Sequence, residues 1–152
     1  MFCHEIAGRG IAPAGLKQTA QQIAIRFAAE RVGWLPVCDE SFAVVGIITE
    51  RDLALQVCAE NLLAAEVPVE NVMRREVITC SADASLREAE ELMMRSRVSR
   101  LVILDPEGRL FGVISLTDIL HYSDPLRAAG VARTIKDSEF RVRSHKPPAR
   151  QA

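Results

Sequence analysis

The chain lacks both a long hydrophobic run and an excess of one charge. No stretch of its 152 residues reaches the ~18 consecutive apolar residues that a membrane-spanning helix needs. Residues 1–15 also lack the basic segment followed by an apolar one that marks a secretory signal. Nineteen basic and twenty acidic residues leave a net charge of −1, which attracts neither nucleic acid nor an anionic membrane. We therefore expect a cytoplasmic protein with no nucleic-acid or membrane partner.

The sequence also lacks the spacings of cysteine and histidine that are typical of metal-binding, redox or catalytic sites. Cys3, Cys38, Cys58 and Cys80 are widely spaced and form no C-x-x-C pair, so neither a zinc site nor a thioredoxin-like couple is indicated. We interpret all four as reduced, small apolar residues. The three histidines have no Asp or Ser partner pattern, and no base stands beside any cysteine. The sequence predicts no enzyme and no metal site.

The chain does contain an internal repeat, with two copies of one sequence unit. Its content of 49% hydrophobic and 26% charged residues is typical of a globular unit with a real core. A shift of 66 residues (118 − 52 = 66) aligns residues 32–53 with 98–119 without a gap. The identical pairs include Val32/Val98, Leu35/Leu101, Asp39/Asp105, Gly46/Gly112, Ile48/Ile114 and Asp52/Asp118. A long period present only twice indicates two copies of one small motif that pack together.

Each copy has the pattern of a helix, two strands and a second helix. Residues 19–31 and 85–97 carry apolar side chains at helical spacing, and Ser85 is a plausible N-cap. Two short apolar, β-branched runs joined by a polar turn follow in each copy and predict a hairpin of buried strands: WLPVCD with AVVGIIT, and SRLVILD with RLFGVIS. Thr49 and Ser115 then open the helices ERDLALQVCAENLLA and LTDILHYS.

Segments outside these units complete the predicted organisation. After Pro68 we expect a turn of helix and a strand near residues 77–79, whereas copy one has the Gly- and Ala-rich GRGIAPAGLKQTA, without such a strand. Asp124 and Pro125 suit the N-cap and first position of a helix. The predicted parts are repeat one at 1–66, repeat two at 67–124, a C-terminal helix at 125–143 and a mobile tail at 144–152.

The stretches LPVCDESFAVVGIITERDLAL and VMRREVITCSADASLREAEELMMRSRVSRLVILDPEGRLFGVISLTDIL resemble a tandem pair of cystathionine-β-synthase (CBS) domains, the Bateman module. The resemblance implies a mixed α/β (α+β) fold of two β-α-β-β-α repeats packed as a pseudo-twofold pair. It also implies two clefts that commonly hold adenosine-containing ligands. Each cleft would combine the Ser/Thr-x-x-Asp of one repeat with the first strand of the other.

The Ser/Thr-x-x-Asp motifs stand where a strand passes into a helix. A hydroxyl and the first helical amides can hold a phosphate there, and an Asp three residues later can accept both hydroxyls of a ribose. The same pattern is an ordinary capping device, which remains the alternative. Recurrence in both repeats, together with the resemblance, favours ligand binding. The predicted binding set is Thr49, Arg51, Asp52, Ile78, Thr79, Cys80, Arg100, Ser115, Thr117 and Asp118.

Several of the candidate binding residues also have a purely structural interpretation. Arg51, Arg97 and Arg100 are phosphate ligands or solvated arginines. The resemblance places residues 78–80 against the adenine, although core packing explains Ile78 alone. For Trp34 a buried or interface position is favoured over stacking on a base. The cleft of Ser115 and Asp118 would depend on the atypical GRGIAPAG segment, so we expect it to bind less well than that of Thr49 and Asp52.

The favoured function is a stand-alone regulatory module that binds AMP, ADP, ATP, S-adenosylmethionine or NAD and signals to an unknown downstream protein through the shape of a homodimer. The alternative is a dimeric interaction or scaffold protein without a nucleotide, in which the motifs are only helix caps. Apolar residues expected to be exposed on the face opposite the clefts predict the homodimer: Leu55, Val57, Leu62, Leu63 and Ile119.

Overall fold

The structure, a computed structural model, describes residues 1–144, with side chains described through Asp137. The predicted tail beyond Ser144 lies outside the described residues. The helices of the described part are α1 (Cys3–Ile6), α2 (Ala20–Glu30), α3 (Glu50–Leu53), α4 (Val69–Val72), α5 (Leu86–Ser96), α6 (Leu116–Tyr122) and α7 (Pro125–Ser144). The strands are β1 (Ala14–Gly15), β2 (Trp34–Cys38), β3 (Val44–Thr49), β4 (Thr79–Ser81), β5 (Arg100–Leu104) and β6 (Leu110–Ser115).

These elements confirm the predicted order β-α-β-β-α in each repeat. Each repeat has a three-stranded sheet, ordered β1-β2-β3 or β4-β5-β6, in which a parallel outer strand joins an antiparallel hairpin. The first helices of the two repeats start with the same device, since Thr19 and Ser85 each form a capping box with the residue three positions later. Both helices end at an arginine in the left-handed conformation, Arg31 or Arg97.

A pseudo-twofold relation connects the repeats at their hairpin turns. Ala43 and Arg109, which correspond under the 66-residue shift, form an antiparallel bridge with each other. A bridge between two equivalent residues lies on the axis that relates the copies. Within these turns Phe42 adopts a φ of 63° where its counterpart Gly108 has 79°.

The repeats are also interlocked at their beginnings. The N-terminal segment (residues 1–8) packs on repeat two, where the amide of Cys3 donates to the carbonyl of Ala84 at 2.8 Å. The linker segment (residues 67–74) packs in the same way on repeat one, where the amide of Val69 donates to the carbonyl of Gln18 at 2.8 Å. The structural repeat therefore includes residues 1–8, although the sequences of the two segments differ at every position.

The first strand of copy one corrects the sequence-based expectation that copy one lacks it. β1 pairs with β2 in the register with which β4 pairs with β5, but it spans two residues instead of three. Pro13 stands in the place of Thr79 and has no amide hydrogen for the ladder. The carbonyls of Ala12 and Pro13 instead accept from Arg26, at 2.6 and 3.1 Å.

The interior consists of one hydrophobic cluster per repeat, and α7 adds Val131 and Ile135 to that of repeat two. Two residues predicted to be exposed are buried, since Val57 is 2% and Ile119 is 0% exposed. After Leu53 the helix widens into a π-helical turn, Ala54–Cys58, and Val57 joins the core of repeat one. Ile119 faces the core of repeat two. Large apolar side chains do remain exposed: Leu55, Leu62, Leu63, Leu120, Tyr122 and Leu126.

Candidate functional site

A cavity of about 730 Å³ opens between the two repeats, and we call it the first cleft. Repeat one supplies the end of β3 and the start of α3, and repeat two supplies the turn before β5. The residues that precede β4 form a further wall, and Ile135 of α7 closes one side. The volume lies within the range of small-molecule sites, roughly 300–1,000 Å³. Its lining includes Trp34, Ile47, Thr49, Glu50, Arg51, Arg74, Glu76, Val77, Ile78, Arg97, Ser99 and Arg100.

The charged residues of the first cleft favour an anion. Four arginines line it, and their side chains come from three separate parts of the chain: Arg51, Arg74, Arg97 and Arg100. Glu50 and Glu76 oppose them, so the lining carries two more positive charges than negative ones (4 − 2 = 2). Guanidinium groups bind phosphate and carboxylate oxygens in a bidentate fashion. The cleft can therefore hold a ligand with at least one anionic group.

Thr49 and Asp52 form a complete capping box at the edge of the cleft. The amide and hydroxyl of Thr49 donate to Oδ2 of Asp52 at 2.9 and 2.7 Å, and the amide of Asp52 donates back to Oγ1 of Thr49 at 3.2 Å. The other carboxylate oxygen, Oδ1, lies 3.2 Å from Nε of Arg74. Asp52 is buried, whereas Arg74 is half-exposed. Arg74 thus lies between the carboxylate and the open cavity.

Two of the amides that were expected to receive a phosphate already have partners within the protein. The amide of Glu50 donates to the carbonyl of Gly33 at 3.1 Å, and the amide of Asp52 is bound to Thr49. The arginine side chains are consequently the better phosphate donors of this site. Arg74 was absent from the sequence-based set, and only the strand register that places it beside Ile47 could have indicated it.

The remaining predicted residues of the first cleft divide into two groups. Arg51, Ile78 and Arg100 line the cavity, together with the half-buried Trp34. Thr79 and Cys80 lie further along, in β4, and do not belong to the lining. Thr79 is exposed, and the side chain of Cys80 packs against the core of repeat two.

The equivalent position in repeat two repeats the cap but lacks most of the charges. Ser115 donates from its amide and hydroxyl to Oδ2 of Asp118 at 2.7 and 2.6 Å. Under the 66-residue shift Gly8 corresponds to Arg74, Gly10 to Glu76 and Thr117 to Arg51. Thr117 is exposed, and the structure does not bring Ser115, Thr117 or Asp118 into the first cleft.

This pair of sheets, with a cleft between the repeats, is the architecture of a CBS-domain pair, and the chain belongs to the CBS domain family. The family model described as CBS domain matches it twice, at residues 5–57 and 69–124. The uncharacterized protein MK0525 of Methanopyrus kandleri is 32% identical over 132 residues, which cover 87% of this chain and 67% of that protein. MJ1232 of Methanocaldococcus jannaschii is 36% identical over 67% of this chain, and the match spans only 32% of its own length.

Solved structures agree with this assignment. The CBS domain protein TA0289 of Thermoplasma acidophilum, of unknown function, matches with a TM-score of 0.75 over 90% of this chain and 76% of its own; at 20% identity it shows the fold. The CBS domain pair of MJ0100, solved in complex with 5′-methylthioadenosine and S-adenosyl-L-methionine, matches with a TM-score of 0.68 and 25% identity. That match covers 80% of this chain and 94% of the pair.

Two features are absent from the described residues. No helix in this part of the chain is long and apolar enough to cross a membrane. The same residues contain no group of three or more His, Cys, Asp or Glu side chains placed to hold a metal ion.

Proposed function

We propose that this chain is a regulatory module whose first cleft binds an adenosine-containing ligand with a phosphate group, such as AMP, ADP or ATP. The observation that carries the proposal is the group of four arginines around a cavity of about 730 Å³ between the two CBS repeats. The adenosyl ligands in the MJ0100 pair support the adenosine part. The excess of positive charge supports a phosphate over the cationic sulfonium of S-adenosylmethionine, which we rank with NAD behind the nucleotides.

The residues in and beside the first cleft offer a suitable contact for each part of such a ligand. Ile47 and Ile78 offer apolar contact to the adenine, and Trp34 offers an aromatic face. The arginines offer the phosphate donors. A ribose hydroxyl can reach Asp52 only after Arg74 leaves Oδ1, so binding exchanges an ion pair inside the protein for one with the ligand.

We propose further that occupancy is signalled through a homodimer. The support is the exposed apolar surface around the ends of the motif-bearing helices, at Leu55, Leu62, Leu63, Leu120 and Tyr122. Burial of such a surface between two copies would remove several hundred Å² of apolar area from water. Light scattering at micromolar concentration should give the mass of two chains, and the mass of one chain would contradict the dimer.

A thermal-shift screen of the whole chain against AMP, ADP, ATP, NAD and S-adenosylmethionine tests the ligand. A ligand at about 100 times its Kd stabilises the folded form by about 2.7 kcal/mol, which raises the Tm by several degrees in a chain of this size. We expect the largest shift among the three nucleotides. An unchanged Tm with all five compounds would refute the proposal.

One observation favours a second function, a dimeric scaffold without a nucleotide. The capping boxes of Thr49 with Asp52 and of Ser115 with Asp118 are complete without any ligand. A scaffold predicts two-chain mass in light scattering and no thermal shift. The two experiments together separate the proposals.

A further inference from the structure

Helix α7 forms part of the first cleft although it lies outside both CBS repeats. The family matches end at residue 124, and α7 begins at Pro125. The helix packs on α5 and α6 of repeat two, and its Ile135 lines the cavity together with Arg97 at the end of α5. We propose that α7 is a ligand-sensing element, in which ligand binding in the first cleft and docking of α7 on repeat two stabilise each other. This inference rests on the proposed function, because it concerns the ligand of the same cleft.

The docking of α7 depends on one narrow apolar face. Ala128, Val131 and Ile135 are each no more than 2% exposed, and their spacing of three and four residues places them on the same side of the helix. Apart from the partly buried Ala132, the other side chains from Pro125 to Asp137 are exposed. Elements with few buried apolar contacts are the first to open locally. The helix can therefore undock without unfolding of the repeats.

A buried carboxylate fixes the start of α7 on repeat two. Glu90 of α5 is only 2% exposed, its Oε1 accepts from the hydroxyl of Ser123, and its Oε2 lies 3.4 Å from Nε of Arg127. We call these three residues the helix latch. A carboxylate is costly to bury unless it is paired and hydrogen-bonded. Without Arg127 the docked helix would cover the charge of Glu90 in the absence of this cation, so the undocked state would gain in population.

The other repeat shows that the helix latch serves α7 and not the CBS fold itself. Under the 66-residue shift Glu90 corresponds to Ala24, and Ser123 corresponds to Val57. Ala24 is exposed, and Val57 belongs to the hydrophobic core of repeat one. Of the two repeats, only the one that α7 covers has the carboxylate and the hydroxyl at these positions.

The helix latch and the cleft wall lie at different places along α7. Arg127 and Ile135 are eight residues apart (135 − 127 = 8), which corresponds to roughly 12 Å along an α-helix. Arg127 is not part of the cleft lining. It is therefore a positioning residue, whose loss changes the affinity of the cleft through the position of α7.

Isothermal titration of the whole chain tests this coupling, with AMP, ADP, ATP, NAD or S-adenosylmethionine, whichever raises its Tm most. Thermal melts first establish that each variant is folded at the temperature of the titration. We expect Arg127→Met to bind the compound at least about fivefold more weakly, the lower end of ordinary coupling between sites. Arg127→Lys should regain most of the affinity, because it keeps a cation beside Glu90.

Arg133→Met is the matched control, because it makes the same charge change on the same helix at a side chain that is 84% exposed. It should bind the compound as the parent does. An unchanged affinity in Arg127→Met would overturn the coupling. Equal losses in Arg127→Met and Arg133→Met would overturn it as well, since they would assign the effect to net charge.

Hydrogen exchange of α7 supplies the reciprocal measurement. Coupling between two equilibria is mutual, so the bound compound should slow the exchange of the amides of residues 128–137 at least about fivefold. Without the compound, Arg127→Met should speed up the exchange of the same amides and leave that of β2 unchanged, which identifies local undocking.

The outcomes separate this inference from the proposed function. If the compound binds to the parent but leaves the exchange of α7 unchanged, the coupling is refuted and the proposed function stands. If none of the five compounds raises the Tm of the parent, both are refuted.

Discussion

Arg74 and Gly8 occupy the same place in the two repeats, but only Arg74 carries a side chain into a cleft. Arg74 forms a β-bridge with Ile47 on β3, and Gly8 forms one with Val113 on β6. Val113 is the counterpart of Ile47 under the 66-residue shift. Beside Arg74 the carboxylate of Asp52 has a cationic partner at 3.2 Å. Gly8 offers nothing comparable to Asp118. The pseudo-twofold relation therefore holds for the backbone and fails for the electrostatics.

Arg74→Met is expected to weaken binding of ATP at least tenfold and to leave the Tm almost unchanged. The ion pair joins a half-exposed guanidinium to a buried carboxylate that keeps its hydrogen bonds to Thr49, so its loss should cost only about 0–1 kcal/mol of stability. A guanidinium that binds a phosphate contributes more than about 1 kcal/mol to affinity. Isothermal titration of the parent and the variant measures the change. Arg75→Met is the matched control, because Arg75 is adjacent and is not part of the cleft lining. An equal loss of ATP affinity in both variants would show that only the net charge near the cleft matters, and not the position of Arg74.

Asp52→Ala should abolish nucleotide binding, and Asp118→Ala should reduce it much less. Each substitution removes one capping box, so each should cost about 0.5–2 kcal/mol of stability. Only Asp52 lies beside the arginine-lined cleft. Titration calorimetry and thermal melts of both variants separate the two effects. Binding that survives in both variants would identify the motifs as helix caps alone.

Gly46→Ala should destabilise the protein by roughly 1–3 kcal/mol, the usual cost of overpacking. A Cβ at this position would lie 2.7 Å from the carbonyl oxygen of Arg74 and 2.7 Å from Sδ of Met73. Gly130→Ala is the control, because it makes the same chemical change in α7 with no atom within 4 Å. There the lost freedom of glycine should stabilise the chain by about 0.5–1 kcal/mol. Urea denaturation measures the free energy of unfolding of both variants. An unchanged value for Gly46→Ala would mean that the linker segment moves away without loss of stability.

Phe42→Gly should raise the free energy of unfolding by about 1 kcal/mol, since a left-handed conformation costs a non-glycine residue about 1–2 kcal/mol. Phe42 has a φ of 63° and an exposed ring, and repeat two has Gly108 in the same place. For a chain of this length the gain corresponds to about 2–4 °C in Tm. Phe42→Ala removes the ring but keeps the Cβ, so it should give no increase. A rise in Tm for Phe42→Ala as well would assign the effect to the ring.

Alkylation of Cys80 by iodoacetamide should become half-maximal near pH 7, because only the thiolate reacts and the pKa of Cys80 is lowered to about 7. The rate should rise as the pH rises through this value. The largest cause of the lowered pKa of Cys80 is a hydrogen bond from Cys3, which Cys3→Val removes, while burial and the charge of Glu88 still raise that pKa. The midpoint should consequently move to higher pH. Mass spectrometry of the labelled peptide measures it, and an unchanged midpoint would show that Cys3 does not activate Cys80.

The sequence was sufficient for the fold because the hydrophobic pattern is local and occurs twice. The capping residue Ser85 and both hairpins could be located without tertiary information. The first strand of copy one could not be, because Pro13 and the small residues around it carry no strand pattern. The register with β2 and the side chain of Arg26 hold it in place.

The site was less predictable, since much of it depends on contacts between segments far apart in the chain. Thr49, Arg51 and Arg100 belong to recognisable motifs or their flanks, and the structure places them in one cavity. Arg74 has no motif of its own and enters the cleft only because the linker segment packs on β3. Val57 was predicted to be exposed, but on the π-helical turn Ala54–Cys58 it is buried in the core of repeat one.

The interlocking of the repeats has a consequence for folding during synthesis. The N-terminal segment leaves the ribosome first, but its bridge partner for Gly8 is Val113, 105 residues later (113 − 8 = 105). At about 5–20 residues per second this partner is made roughly 5–20 s afterwards. The linker segment, in contrast, follows the strand on which it packs and can dock as soon as it emerges. Residues 67–74 can therefore pack on repeat one before the partners of residues 1–8 have been synthesised. The docking of residues 1–8 on repeat two is then the last of these two steps.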